Sequence, residues 1–269
     1  MKHCRVLTIA GTDSGGGAGI QADLKTFTVM RAYGMSVIAA VTAQNTMGVQ
    51  GVYPLAPEAV GEQLESVFSD IGADAVKTGM LFSAPIITEV AAKLRKFNVS
   101  NLVVDPVMIA KGGSRLLEEE ATAALKDELL PLTTVITPNI PEAEVLTGVK
   151  ITTVDDMKTA AKQLVAMGVQ AAVVKGGHLT ADPIDVLFDG KQVSEFVGRR
   201  YQTKNTHGTG CTFSAALAVG LAHGLDLSAA VQQAKDFVSL AISKAVPIGH
   251  GHGPTNHLAW LDRTPLADN

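Results

Sequence analysis

The chain has 269 residues, of which 46% are hydrophobic and 18% charged, and its formal net charge is −4 at pH 7. This length and composition are typical of a globular protein with a sizeable buried core. The charge is slightly negative and no basic block occurs, so we expect no nucleic-acid partner. No uninterrupted apolar run reaches the length of a membrane span, so we also expect no membrane association.

The chain contains two cysteines, Cys4 and Cys211, which lie near opposite ends of the sequence without a C-x-x-C pattern. This spacing argues against a disulfide framework or a zinc site. The N-terminal residues run directly into a strand-like segment, without the long apolar stretch of a secretory signal. We therefore expect a cytoplasmic protein, in a compartment where thiols stay reduced.

Strand-like apolar runs alternate along the chain with helical patterns. The runs that predict strands cover residues 6–10, 36–43, 73–77, 101–105, 134–137 and 171–175. The patterns that predict helices cover residues 20–31, 57–70, 84–96, 118–129, 154–167, 211–223 and 227–245. Residues 184–197 predict two short strands around the turn Asp189-Gly190. The alternation predicts an α/β protein with a mostly parallel sheet covered on both faces, and the lack of a linker predicts a single domain over residues 1–269.

Polar residues or glycines follow most of the predicted strands. They are Gly11-Thr12-Asp13, Gln44-Asn45, Thr78-Gly79-Met80, Asp105-Pro106-Val107-Met108, Pro138-Asn139 and Gly176-Gly177-His178. Each group alone has an ordinary explanation as turn chemistry. Because ligands bind beyond the carboxyl ends of such strands, the groups together predict a site at that edge of the sheet, with Lys175 nearby.

Residues 205–212, Asn-Thr-His-Gly-Thr-Gly-Cys-Thr, lie where a helix is predicted to begin. The first amides of a helix have no partner inside it, so this loop is expected to hold a phosphate or an oxyanion. Cys211 would lie at the positive end of the helix dipole, which predicts a lowered thiol pKa and a role as a base or nucleophile. The alternative remains open that the glycines shape a turn and Cys211 is merely a small buried residue.

The stretch 15–19 is rich in glycine, and residues 17–22 satisfy the dinucleotide pattern G-x-G-x-x-A. That pattern requires an acidic residue at the end of the second strand, where this chain has Thr42-Ala43-Gln44. The dinucleotide signal is therefore weak. No G-x-x-x-x-G-K-[ST] pattern occurs either, which excludes a P-loop kinase. The glycines could equally let the backbone approach a small flat substrate.

Several motifs in a fixed order resemble those of one enzyme family. They are GTDSGGGAGIQADLKTF at 11–27, QNT at 44–46, KTGM at 77–80, DPVM at 105–108, TPNIPEA at 137–143, KGGH at 175–178 and HGTGCT at 207–212. This set resembles the hydroxymethylpyrimidine/phosphomethylpyrimidine kinases of thiamine biosynthesis, a branch of the ribokinase superfamily. The resemblance extends from about Val6 to the segment 253–257.

The resemblance implies a ribokinase-like three-layer α/β/α sandwich with a mostly parallel central sheet. It also implies an ATP-dependent, magnesium-dependent kinase that acts on 4-amino-5-hydroxymethyl-2-methylpyrimidine. Such an enzyme phosphorylates the hydroxymethyl group and then converts the monophosphate to the diphosphate. Its expected partners are these small molecules and ATP, and relatives of this kind are commonly homodimers.

The resemblance further implies roles for individual residues. Gln44 would hydrogen-bond the pyrimidine, in a substrate pocket completed by Asp23, Gly11, Ala18, Met80 and Val107. Cys211 would act as the base, and the anion hole would consist of Gly208, Thr209 and Gly210. Lys175 would bind phosphate, and the ATP side would also include Asn139, Thr206 and His207. Asp105 and Glu142 would steer Mg²⁺ through water, although Glu142 could instead serve only as an acid at a helix start.

Three alternatives stay open on the sequence. A close branch with the same cysteine motif phosphorylates pyridoxal, pyridoxine or pyridoxamine, and dual activity is compatible with these residues. A catalytically idle pyrimidine-binding protein would keep the fold, although it would have no need of Cys211, Lys175 and Asp105 together. A nicotinamide-dependent reductase would use the loop at 17–22 and would be indifferent to Cys211→Ala.

Overall fold

The computed structural model describes residues 4–108, 119–177 and 182–263. Within these ranges an eight-stranded sheet has helices on both faces, and a separate two-stranded hairpin stands beside it. The predicted α/β architecture with a mostly parallel sheet is confirmed. None of the helices in the described ranges has the length and apolar character needed to cross a membrane.

The strands have the following bounds. They are β1 (Arg5–Ala10), β2 (Tyr33–Ile38), β3 (Ala40–Asn45), β4 (Gly48–Pro54), β5 (Ala75–Thr78), β6 (Leu102–Val104), β7 (Val135–Ile136), β8 (Ala171–Val174), β9 (Ile184–Phe188) and β10 (Val193–Val197). The order in the main sheet is β10-β9-β8-β7-β6-β5-β1-β2. Neighbours from β8 to β2 are parallel, whereas β9 runs antiparallel to both β8 and β10.

The helices have the following bounds. They are α1 (Gly19–Val29), α2 (Pro57–Asp70), α3 (Ala84–Lys96), α4 (Glu119–Ala124), α5 (Ile140–Thr147), α6 (Val154–Ala166), α7 (Thr209–Ala222) and α8 (Leu227–Ser243). Helices α2 and α3 begin with proline in the first turn, where the missing N–H leaves no hydrogen bond unmade.

Two apolar clusters show the three layers. Alternate strand residues contribute to opposite clusters, as Val103 and Val104 do in β6. Helices α2 to α6 cover the face that carries Val104, and α1, α7 and α8 cover the face that carries Val103. Because both faces of the sheet are buried, its central strands are mostly apolar, as the sequence runs indicated.

The prediction of one strand over residues 36–43 is wrong. The chain leaves the main sheet after Ile38, and Ala40 begins the separate hairpin β3–β4. The amides of Ala39 and Thr12 bond to the carbonyls of Ala10 and Ala40, so the loop after β1 diverts the chain. The apolar run continues through this break, and its periodicity therefore gave no sign of it.

Other boundaries differ less. Of the helix predicted over 118–129, only α4 is α-helical, and residues 125–129 continue it as a turn of π-helix. Residue 118 lies outside the described residues. No range was predicted for helix α5, although Glu142 was considered as an acid at a helix start, because its eight residues are too few for a clear helical period. The hairpin predicted over 184–197 is confirmed as β9–β10.

Candidate active site

A cavity of about 570 Å³ opens at the carboxyl ends of the parallel strands. Its lining includes fifteen of the sixteen residues predicted for the site: Gly11, Ala18, Gln44, Met80, Asp105, Val107, Asn139, Glu142, Lys175, Thr206, His207, Gly208, Thr209, Gly210 and Cys211. They converge because parallel strands end at a common edge and the amino terminus of α7 lies against it. His178, which follows β8, lies outside the described residues.

Gly208 brings the start of α7 into close contact with the glycine-rich loop. It caps the helix with a φ of +78°, in the left-handed region that favours glycine. A Cβ atom at this position would overlap the carbonyl oxygen of Gly17. The amino end of α7, with its outward-facing amides, can therefore reach the cavity only with glycine at position 208.

Lys175 and Asp105 form an ion pair in the cavity. Lys175 Nζ lies 2.9 Å from Asp105 Oδ1. Burial opposes the charge of Lys175, but the Asp105 and Glu142 carboxylates hold its pKa above the usual value. A Cβ atom on Gly210 would lie 3.3 Å from Lys175 Nζ, so the first turn of α7 packs directly over this pair. A cation and helix amides thus face the same space, which suits a phosphoryl group.

Glu142 serves as the acid at a helix start and also lines the cavity, where its role towards Mg²⁺ stays a prediction. Its carboxylate accepts from the Asn139 amide at 2.9 Å, and Asn139 Oδ1 accepts from the Glu142 amide at 2.9 Å, so the two cap α5. The side chain also lines the cavity. Burial, together with the nearby Asp105 carboxylate, raises the pKa of Glu142 to about 7, against the opposing effect of Lys175.

The predicted lowering of the Cys211 pKa is wrong. Burial raises the pKa of the thiol to about 11, and the Asp23 and Asp105 carboxylates act in the same direction. The Lys77 ammonium and the Gly19 amide oppose this rise without overcoming it. The helix amino terminus is present, but desolvation of a thiolate in this cavity outweighs it.

The prediction that Asp23 contacts the substrate is also wrong, because Asp23 has no exposed surface. Its Oδ2 accepts from Lys77 Nζ at 2.8 Å and from the Thr8 hydroxyl at 2.6 Å. Lys77 belongs to β5 and lines the cavity. Sequence analysis missed Lys77, although a lysine inside the fully buried strand Ala75–Thr78 was a usable signal.

Asp13 is a further residue that sequence analysis missed as a site residue in its own right. Its carboxylate accepts from the amides of Gly15, Gly17 and Ala18, at 2.8, 3.0 and 2.8 Å. It therefore shapes the glycine-rich loop into the cavity wall. His207 Nε2 lies 2.8 Å from Asp13 Oδ2, so His207 faces this loop and Gln44.

Gly11 and Met80 close the apolar side of the cavity. The Gly11 amide donates to the Met80 carbonyl at 3.1 Å, and a Cβ on Gly11 would overlap the Met80 methyl group. Met80 packs with Ala40, and Val52 and Val107 contact this small cluster. An apolar wall in the same cavity as the amide of Gln44 suits a flat heteroaromatic ring.

Comparison with known proteins agrees with this geometry. The profile of the phosphomethylpyrimidine kinase family matches residues 13–256. The hydroxymethylpyrimidine/phosphomethylpyrimidine kinase of Bacillus subtilis is 52% identical over 262 residues, covering 97% of each chain. The corresponding Escherichia coli kinase is 48% identical over 265 residues, which are 97% of this chain and the whole of that protein.

A bifunctional relative is longer. The thiamine biosynthesis bifunctional protein ThiED of Geobacter sulfurreducens is 54% identical over 254 residues, which are 94% of this chain and 52% of that protein. The chain thus spans about half the length of this relative.

Solved structures share the fold. The ADP complex of Bacillus subtilis pyridoxal kinase aligns with a TM-score of 0.90 at 40% identity, over 97% of this chain and all of that one. Phosphomethylpyrimidine kinase from Clostridium difficile aligns with a TM-score of 0.80 at 46% identity, over 89% of this chain and 99% of that one. The expected ribokinase-like fold is confirmed, and the chain belongs to the phosphomethylpyrimidine kinase family.

Proposed function

We propose that the chain is an ATP-dependent kinase that phosphorylates the hydroxymethyl group of 4-amino-5-hydroxymethyl-2-methylpyrimidine and then the resulting monophosphate. The observation that carries the proposal is the joint position of Gln44 and the Lys175–Asp105 pair on one cavity with the amino end of α7. One part of this cavity suits a polar flat ring, and the other suits phosphate. The names of the close relatives support the same substrate.

In the first reaction the hydroxymethyl oxygen attacks the γ-phosphorus of ATP. The new P–O bond forms as the bond to the β,γ-bridging oxygen breaks, ADP leaves, and the hydroxyl proton is lost to a base. In the second reaction a phosphate oxygen of the monophosphate attacks in the same way. The amides of Gly208, Thr209 and Gly210 and the Lys175 ammonium neutralise charge on the transferred group.

Cys211 is the proposed base, and its buried environment limits the fraction of the thiol that is ionised. Its thiol is mostly protonated near neutral pH because burial raises its pKa to about 11. Phosphoryl transfer places only a modest demand on a base, since bond breaking to the leaving group leads bond formation. A small thiolate fraction, favoured by the Lys77 charge, is therefore sufficient.

Mg²⁺ fits the acidic residues of the cavity. Asp105 and Glu142 face one another closely enough for one carboxylate to raise the pKa of the other, and a divalent cation relieves this repulsion. Among the described residues no group of three or more side chains forms a complete metal site. Two carboxylates acting through water match the few protein ligands that Mg²⁺ requires. The ion would neutralise charge on the ATP phosphates, with Asn139 and Thr206 on the nucleotide side.

A pyridoxal kinase is the second candidate, because pyridoxal kinase structures align over nearly the whole chain. We further propose a single domain, since the eight-stranded sheet contains strands from β1 to β10. We also propose a homodimer, and light scattering tests this proposal. The proposed location is the cytoplasm, in keeping with two free cysteines.

The test measures ADP release from MgATP with three acceptors in parallel: the hydroxymethylpyrimidine, its monophosphate and pyridoxal. Each is repeated with Cys211→Ala and with Cys4→Ala as the matched control. Cys4 contacts the carbonyl of Ala222, at the opposite end of α7 from Cys211. We expect turnover of both pyrimidines, a loss of at least about a hundredfold in Cys211→Ala, and wild-type rates in Cys4→Ala.

Turnover of pyridoxal alone would assign the chain to the second candidate. If no acceptor turned over, the kinase proposal would be refuted and a binding protein would be the better account.

A further inference from the structure

Asp13, His207 and Gln44 form a hydrogen-bonded chain at the cavity wall, and the proposed function gives a role only to Gln44. His207 Nε2 lies 2.8 Å from Asp13 Oδ2 and 3.2 Å from the atom assigned as Gln44 Nε2. All three side chains line the cavity. A single ring nitrogen therefore faces a carboxylate oxygen and a carboxamide, and it can carry only one hydrogen.

Asp13 decides where that hydrogen is. Burial opposes its charge, but His207 and the amides of Ala18 and Gly15 hold the Asp13 pKa below its usual value. An ionised carboxylate only accepts hydrogen bonds. The hydrogen of the 2.8 Å contact must therefore belong to His207 Nε2, whether the ring is neutral or charged.

A protonated Nε2 cannot accept from an N–H of Gln44. The two ends of a carboxamide have nearly the same shape, so their hydrogen-bond partners decide which end is oxygen. An amide N–H at the His207 end would therefore meet no acceptor, whereas Oε1 there can share the Nε2 hydrogen with Asp13 Oδ2 as the weaker branch of a three-centre hydrogen bond. At the other end lies the Thr42 hydroxyl, 3.5 Å away, whose single hydrogen is already donated to the Thr12 carbonyl at 2.7 Å. Thr42 can only accept there, which requires Nε2.

We propose that Asp13 and His207 are positioning residues that fix the direction of the Gln44 amide and thereby determine which heteroaromatic ring the site accepts. This inference rests on the proposed function, in which Gln44 binds the ring. The free edge of the amide offers its acceptor on the His207 side and its donor on the Thr42 side. In the proposed reaction the 5-hydroxymethyl group points to the amino end of α7, which His207 directly precedes, so the adjacent 4-substituent lies on the His207 side. In that pose the order of acceptor and donor matches a 4-amino group next to an unprotonated ring nitrogen and opposes a 4-carbonyl next to an N–H.

The test compares binding of two rings in the absence of ATP. Isothermal titration calorimetry gives dissociation constants for the 4-amino hydroxymethylpyrimidine and for its 4-oxo analogue, in which donor and acceptor are exchanged. His207→Leu removes the N–H that orients Gln44. His207→Gln is the matched control, because its amide can place an N–H at a similar reach. Thermal melts of both variants confirm that they fold.

We expect the wild-type protein and His207→Gln to prefer the amino ring by at least about tenfold, the cost of leaving buried polar groups unpaired. In His207→Leu the amide can turn, so this preference should fall below about threefold. Because turning costs the amino ring little, the change should come mainly from tighter binding of the oxo ring. An undiminished preference in His207→Leu would overturn the inference.

A second measurement requires no ligand and uses a variant only for assignment. The ¹⁵N resonances of the imidazole in the ligand-free wild-type protein report which ring nitrogen carries hydrogen, and their absence from His207→Gln assigns them. We expect a protonated Nε2, and an unprotonated Nε2 would overturn the inference. Wild-type protein that bound neither ring would contradict the proposed function, while these resonances would still decide the direction of the Gln44 amide.

Discussion

Replacing Lys77 with methionine tests how the buried ion pair beneath the cavity supports both the fold and the thiol. Lys77 Nζ lies 2.8 Å from Asp23 Oδ2, and neither side chain is exposed. Methionine fills a similar space without charge. Among the described residues, the Asp23 carboxylate in Lys77→Met keeps only the Thr8 hydroxyl as a donor, and its Oδ1 has no hydrogen-bond partner there even in the intact protein.

The magnitude follows from what remains buried. Removing one partner of a buried ion pair costs about 3–5 kcal/mol, because the other charge is left uncompensated. Adding Asp23→Asn removes that charge, and the remaining cost of an imperfectly bonded amide is about 1–3 kcal/mol. The double variant should therefore be more stable than Lys77→Met alone. Urea unfolding followed by circular dichroism measures all three free energies.

The thiol provides a second readout. Lys77 is the foremost influence that lowers the Cys211 pKa, so its loss should raise that pKa further above about 11. The rate of alkylation by iodoacetamide is measured against pH in a Cys4→Ala background. In Lys77→Met this rate should begin to rise at a higher pH than in the protein that keeps Lys77. If Lys77→Met unfolded with the wild-type free energy and was alkylated with the wild-type pH profile, the assigned role of the pair would be refuted.

Two further changes probe the loop and the acidic residues. Gly208→Ala should cost about 1–3 kcal/mol and most of the kinase activity, since its Cβ would overlap the Gly17 carbonyl. Gly224→Ala, at a φ of +81° with open space around it, is the control for backbone strain alone, and equal effects on activity would contradict the role of the overlap. The raised pKa of Glu142 means that its contribution to stability is present below its ordinary pKa of 4.5 and is lost as pH rises to about 7. Glu142→Gln cannot ionise, so its stability relative to wild type should increase by about 2–3 kcal/mol across this window, and parallel pH profiles in urea unfolding would rule this out.

Local patterns were sufficient for the architecture and for the place of the site. Apolar runs separated by amphipathic helices predicted the parallel sheet, and Asp105, Asn139 and Lys175 were recognised because polar residues directly followed buried strands. These signals are local, since the periodicity of a strand and the position of its end depend on residues that are neighbours in the sequence. The break between β2 and β3 lacked such a signal, because the residues on both sides of it are apolar.

Charge states and pairings depended on residues that are distant in sequence. The start of α7 was visible in the chain, but the thiol of Cys211 lies among Asp23, Lys77 and Asp105, which three other segments bring to it. The His207–Asp13 contact joins residues 194 positions apart. Sequence alone identified most of the groups that line the site, although it missed Lys77 and Asp13. Only the tertiary structure decided which of them are charged and which way they point, because desolvation and hydrogen bonding depend on every segment packed around a group.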